Sequence, residues 1–197
     1  MHISANLAVS LDGKISIAGH PRERLGSQED LRRMLVLRDK ADAVLVGGNT
    51  YRAWPLPLMG RRKGKWLNVI VTASGNLPGL DRVSKDPRIQ TLVLTNHGQL
   101  QLKSEVEILP SITPEKIIKC LAKRGVKKLL LECGGRLLTP FLQKGLVDDL
   151  FLTLCPWVVG AGDDLVTAAN SGWHFAQQET YDGETFLRLH KANRRTK

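Results

Sequence analysis

The chain has 197 residues, 42% of them hydrophobic and 24% charged, which suits one globular domain with a sizeable core. No apolar run approaches the roughly 18 residues a membrane helix needs. The start, MHISANLAVSLDG, lacks the basic region, apolar block and small-residue site of a secretory signal. Three scattered cysteines, Cys120, Cys133 and Cys155, contain no CxxC pair, so a reduced, cytoplasmic protein without a structural metal is expected. The formal charge of +10 bunches in GRRKGK (60–65), KRGVKK (123–128) and NRRTK (193–197). These runs carry no interleaved aromatics and match no nucleic-acid motif, which sets nucleic acid aside as the main partner. Positive potential that steers a phosphorylated small molecule is the reading kept beside a merely solvated basic face.

In chain order, HISANLAVS (2–10) reads as a strand. SQEDLRRMLVLRDKA (27–41) reads as a helix that Ser27 caps, with Glu29 and Asp30 at its positive end. DAVLVGG (42–48) is a buried strand ending in glycines, and NTYRAW starts a short helix stopped by Pro55 and Pro57. WLNVIVTAS (66–74), IQTLVLTN (89–96) and EVEIL (105–109) are further strands. TPEKIIKCLAKRG (113–125) is a helix with Thr113 as cap, Pro114 at its first position and Gly125 at its end. VKKLLLE (126–132) is a buried strand and RLLTPFLQKG (136–145) a helix despite Pro140. VDDLFLTLCPWVVG (147–160) reads as a long strand, and WHFAQQETY and ETFLRLHK as a hairpin joined by Asp182-Gly183. Strand–helix alternation followed by an antiparallel finish predicts an α/β protein with a mostly parallel sheet.

In such sheets ligands sit beyond the carboxyl ends of strands. Two of those ends share one chemistry. VLVGGNTYR (44–52) and LLLECGGRLL (129–138) each run from a buried strand through Gly-Gly into a helix start. Glycines let backbone approach a ligand, and a helix start presents free N–H groups to an anion. Asn49 and Thr50 add donors and Arg136 adds a charge. Tight turns with capping residues would look similar, but two such turns in one chain favour a phosphate-bearing cofactor. Cys133 has no histidine tied to it by any motif, and reads as a small residue in a turn. Neither turn matches a P-loop or a full GxGxxG, so the cofactor is not named by these patterns.

In that order and spacing, NLAVSLDGKI (6–15), ADAVLVGGNTYR (41–52), LLLECGGRLL (129–138) and KGLVDDLFLTLCPWVVG (144–160) resemble the reductase domain of bacterial riboflavin biosynthesis. The resemblance spans nearly the whole chain, as a single domain over 1–197. It implies the dihydrofolate reductase-like fold, a three-layer sandwich with a mostly parallel central sheet and a C-terminal antiparallel hairpin. It also implies an NADPH-dependent oxidoreductase that opens the ribose of 5-amino-6-ribosylaminouracil 5′-phosphate to a ribityl chain.

Carried over position by position, the resemblance makes the backbones of Ala8 and Ile15 the grip on the nicotinamide. Gly47, Gly48, Asn49 and Thr50 become the first phosphate-binding turn, and Gly134, Gly135, Arg136 and Leu137 the second. Thr72 and Ser74 become partners of a 2′-phosphate. Ser10, Asp12, Lys14 and Glu132 become pocket residues, Lys14 orienting or protonating the substrate and Glu132 binding its amino-pyrimidine edge. A turn for Asp12-Gly13 and a strand-end cap for Glu132 are the plainer readings.

One departure bears on substrate. The family's acid-rich D-x-P segment is replaced by Ala53-Trp54-Pro55-Leu56-Pro57, where Trp54 can stack on a flat ring. A dihydrofolate reductase-like enzyme acting on a pterin, or a basic binding protein without catalysis, are the alternatives. The zinc deaminase signature is absent from the 197 residues. A homodimer is expected through apolar surface on the C-terminal strands, residues 147–158 above all.

Overall fold

A computed structural model describes residues 1–98, 102, 104–166 and 171–192; the basic run 193–197 lies outside the described residues. The elements are β1 (His2–Ser10), α1 (Gln28–Asp39), β2 (Ala43–Gly47), α2 (Gly48–Ala53), β3 (Trp66–Val71), α3 (Leu80–Val83) and β4 (Ile89–Thr95). They continue with β5 (Glu105–Ile108), α4 (Pro114–Lys123), β6 (Lys128–Leu131), α5 (Gly135–Gln143), β7 (Asp149–Cys155), β8 (Trp173–Tyr181) and β9 (Glu184–Lys191). The described chain divides into two compact units, one of residues 34–133, the other of His2–Arg33 together with the chain from Gly134 on.

In the first unit β5, β4, β3, β2 and β6 lie side by side, every pair parallel. Their near-continuous apolar runs follow from burial on both faces. Val44, Val46, Ile70, Val93 and Leu130 from the strands join Tyr51, Leu80 and Val83 from α2 and α3 in one buried cluster. Full burial of each such aliphatic side chain stabilises by about 1.5–3 kcal/mol. α4 begins as its sequence reads, with Thr113 Oγ1 accepting from the Lys116 N–H and Pro114 at the first helical position. The basic runs are partly tied down. Arg124 pairs with Glu105 and Glu107, and the Asp39 carboxylate accepts from the N–H groups of Arg61 and Arg62.

In the second unit β1 pairs with β7 in parallel, Ala8 opposite Thr153. β7 pairs with β9 and β9 with β8, both antiparallel. The Asp182-Gly183 turn takes the expected form, with positive φ at both residues (49° and 80°). The run 147–160 does not continue as a strand. β7 stops at Cys155, because Pro156 offers no N–H to extend a ladder, and the Trp157 N–H turns back to the Cys155 carbonyl. The strand read as 66–74 likewise stops at Val71, and α3 is an extra element that four residues were too few to signal. β7 itself is mostly buried. Among the described residues from 147 on, the exposed large apolar side chains are Trp157 and Val158, just past β7, and Phe175 and Tyr181 on β8.

Ser27 caps α1 as read, its hydroxyl accepting from the N–H groups of Glu29 and Asp30. Behind this cap Asp30 and Glu184 are both buried. Thr153 donates to Asp30 at 2.7 Å, and Ser27 donates to Glu184 through both backbone and hydroxyl. Burial, reinforced by the Glu184 charge, raises the Asp30 pKa. The fold therefore penalises ionised Asp30 above that raised pKa, and the penalty fades as pH falls through it. Asp30→Asn is expected to raise Tm by about 2–4 °C at pH 8 and to change it little near pH 4. Thermal melts across that range check this, and a variant equally shifted at both pH values would refute it.

Candidate functional site

The first glycine turn belongs to the first unit. β2 runs out at Gly47, and α2 starts at Gly48 with no side chain capping it. Gly47 is in register with Val71, which brings the end of β3 beside the turn. A Cβ on Gly48 would stand 3.1 Å from Thr72 Oγ1 and 3.3 Å from the Arg52 guanidinium, so the glycine permits this close approach. Thr72 is buried and its hydroxyl accepts from the Gly75 N–H at 3.1 Å. Arg52, four residues beyond Gly48 and so on the same helical face, donates to Ser74 Oγ (3.4 Å), the Asn76 carbonyl (3.0 Å) and Asn49 Oδ1. The structure thus brings Gly47, Gly48, Asn49, Thr72 and Ser74 into one neighbourhood, with Arg52 among them and Thr50 next along α2. The helical spacing from Gly48 was the signal for Arg52.

Glu132 follows β6 in the same unit. It does not cap the next helix through its side chain. Arg38, in the last turn of α1, donates through Nε and one terminal nitrogen to both carboxylate oxygens, at 2.8 and 2.7 Å. Its other terminal nitrogen donates to the Met59 carbonyl at 3.1 Å. The two side chains are 10% and 9% exposed, so this is a desolvated, two-point ion pair. Trp54, on the loop leading to Met59, is half-buried. Cys133 is buried and burial pushes its thiol up to about 12, which leaves no thiolate for nucleophilic work at neutral pH.

The second unit holds the SLDGKI loop, which is built against residues 157–165. Asp12 accepts from Ser10 Oγ (2.6 Å) and from the N–H groups of Val159 (3.0 Å) and Gly160 (2.7 Å). Those donors, the Ser10 hydroxyl foremost, hold its carboxyl well below the usual range. Ser10 Oγ in turn accepts from the Lys14 N–H at 2.8 Å. Ser10 and Asp12 therefore place their polar atoms inside the loop, which is the turn reading weighed for Asp12-Gly13. The Ile15 N–H is likewise engaged, donating to the Asp163 carbonyl at 2.9 Å. Lys14 Nζ meets Asp164 at 2.5 Å, and that hydrogen bond raises its pKa, so Lys14 is a fixed cation.

The second glycine turn stands beside this loop. Gly134 precedes α5, again without a side-chain cap. The two glycines have different neighbours. A Cβ on Gly135 would lie 2.3 Å from the Asp164 carbonyl oxygen, so its missing side chain makes room for the 157–165 segment rather than for a ligand. A Cβ on Gly134 would meet only Ile15 Cδ1, at 3.9 Å, leaving its face open. Arg136 is exposed and Leu137 half-buried at the start of α5. The helices following the two Gly-Gly turns lack side-chain caps, whereas α1 and α4 have them. Uncapped N–H groups beside an open glycine and an arginine fit an anionic group.

The chain matches the model of the RibD C-terminal domain over residues 1–187. It is 26% identical to the 2,5-diamino-6-ribosylamino-4(3H)-pyrimidinone 5′-phosphate reductase of Archaeoglobus fulgidus, over 95% of this chain and 89% of that one. It is 29% identical to the protein of the same name from Methanothermobacter thermautotrophicus, over 82% of this chain and 81% of that one. Acinetobacter baumannii RibD has a similar fold, with a TM-score of 0.82 at 20% identity; 98% of this chain is covered, but this chain spans only 58% of that one.

Proposed function

Because the chain belongs to the RibD C-terminal domain family, an oxidoreductase family of riboflavin biosynthesis, we propose that it reduces a ribosylamino-pyrimidine 5′-phosphate to the ribityl compound with NADPH. The observation that carries the reading is similarity along nearly the whole of a relative named for that pyrimidinone phosphate. The same similarity favours the 2,5-diamino-pyrimidinone over the uracil form. NADPH, when bound, supplies the hydride.

The residues of this chain hold and orient. The uncapped start of α5, with Gly134 and Arg136, suits a phosphate group of the cofactor, and the Gly47–Thr50 turn, taken by itself, has the same chemistry. Thr72, Ser74 and Arg52 suit a 2′-phosphate, two hydroxyls and a cation with no competing carboxylate in contact with them among the described residues. Lys14, held cationic by Asp164, suits the negative charge that develops at the opening sugar. Glu132 accepts from the pyrimidine's amino edge, and Trp54 offers a ring face. Ser10 and Asp12 serve by fixing the loop that carries Lys14.

The protein acts in the cytoplasm, as one reductase domain and as a homodimer. β8, exposed along its length and bearing Phe175 and Tyr181, supports the last point; a light-scattering mass of one chain would refute it. Following absorbance of the reduced nicotinamide with the diamino-pyrimidinone phosphate, its uracil counterpart and dihydrofolate tests the function. Turnover is expected with the first, at least tenfold above the second. Turnover with dihydrofolate alone would overturn the reading.

A further inference from the structure

We infer that the amino-terminal edge of the parallel sheet in the first unit is a docking surface for the phosphate backbone of duplex DNA, bound without regard to sequence. Three stretches far apart in the chain meet there: Lys40 ahead of β2, Arg61, Lys63 and Lys65 ahead of β3, and Lys127 and Lys128 at the entry of β6. These strands are neighbours in the order β3, β2, β6, and Ala43 lies opposite both Leu67 and Leu129, which sets the three entries side by side. The Lys127 and Lys128 N–H groups both donate to Asp42 at 2.8 Å, and those of Arg61 and Arg62 donate to Asp39 at 2.6 and 2.7 Å. The local carboxylates therefore hold backbone and fix the loops. The six basic residues are exposed, and among the described residues none of their side chains forms an ion pair.

The place of this edge separates it from the Gly47–Thr50 turn. β2 runs from Ala43 at the basic edge to Gly47 at the turn, about 13 Å away at about 3.3 Å per residue. A funnel for a phosphorylated small molecule would put these charges at the Gly47 end, and the chain puts them at the other. What the edge offers is a row of cations, and cations that neutralise phosphates bind independently of sequence. Trp66, the aromatic residue at the start of β3, is buried, and the Arg62 guanidinium covers its ring at 4.0 Å. That ring is closed to an unpaired base, which favours a duplex over a single strand. Duplex RNA is held through its 2′-hydroxyls as well as its phosphates, and the edge presents charges rather than the neutral polar side chains that suit them.

The test titrates the full chain into a fluorescently labelled DNA duplex of about 20 base pairs and follows anisotropy. Contact with about four phosphates predicts a Kd below about 10 μM at about 50 mM salt, weakening about 100-fold by about 200 mM. Lys63→Glu/Lys65→Glu/Lys128→Glu is compared with Arg22→Glu/Arg82→Glu/Lys119→Glu, three exposed cations away from the edge. Each triple variant takes the formal charge from +10 to +4, a change of −6. The edge variant is expected to bind at least about 30-fold more weakly at about 50 mM salt and to lose most of its salt dependence, and the control to weaken less than about fivefold. The neutral triple Lys63→Gln/Lys65→Gln/Lys128→Gln, expected to weaken binding at least about tenfold with Tm within about 2 °C of the parent, keeps the test open if charge reversal impairs folding. Equal losses in the two charge-matched variants would trace binding to net charge alone and overturn the inference, as would a parental Kd above about 100 μM at about 50 mM salt. Tighter binding to single-stranded DNA, duplex RNA or polyglutamate than to the DNA duplex would overturn it as well. None of these readouts involves nicotinamide turnover, so the function proposed above stands or falls separately.

Discussion

Gly135→Ala and Gly162→Ala are each expected to lower Tm by about 3–10 °C, the overpacking cost of about 1–3 kcal/mol in a chain of this size. A methyl at Gly162 would stand 1.9 Å from the Ser16 carbonyl oxygen, and at Gly135 2.3 Å from that of Asp164. Both obstructing atoms are backbone, so no side chain can rotate away. Relief requires the 157–165 segment to lift from the SLDGKI loop. That motion would strain the Ile15 to Asp163, Ala18 to Ala161 and Leu165 to Gly13 hydrogen bonds and pull Asp164 from Lys14. Reductase activity is expected to fall with stability in both variants. Gly134→Ala is the control: its Cβ has 3.9 Å to the nearest atom, so Tm should stay within about 1 °C. On the proposed reading it still weakens NADPH, because it faces the open side of the turn. Thermal melts and NADPH titrations of the three variants separate these effects. A Gly135→Ala protein with the parental Tm would refute the packing account.

Arg52→Ala is expected to lower kcat/KM for NADPH by about 10–100-fold while changing that for NADH by less than threefold, the range of one lost charge-assisted contact of about 1.5–3 kcal/mol. The guanidinium lies between Asn49 and Ser74, at the end of β3, with the buried Thr72 hydroxyl adjacent. Removing it takes away the cation but leaves the Gly47–Thr50 turn, whose conformation is set by β2 and α2. Losses that are equal for the two nucleotides would refute a role at the 2′-phosphate and point to the turn itself. Steady-state kinetics with both nucleotides decides it, and Arg52→Lys should recover part of the NADPH preference because charge survives without the fork.

The parts of this protein that local physics controls were legible in the chain. Period and punctuation placed β1 to β9 in order, because buried parallel strands need apolar runs and helices need caps and stops. Ser27, Thr113, Pro114 and Asp182-Gly183 did what their residue types do in isolation. Family resemblance supplied the reductase reading, and the two Gly-Gly turns marked helix starts that no side chain caps. What residue type could not decide was which partner each polar atom finds. Glu132 reads as a strand-end acid, yet its ion pair is with Arg38, 94 positions earlier. Asp12 reads as a ligand-facing acid, yet three protein donors fill it, two of them from the 157–165 segment. Gly134 and Gly135 are identical as letters, and only the placement of Asp164 makes one a packing requirement and the other an open face. Sequence sets which groups need partners; the tertiary fold alone brings distant chain segments within the 3 Å or so at which hydrogen bonds and steric contacts are decided.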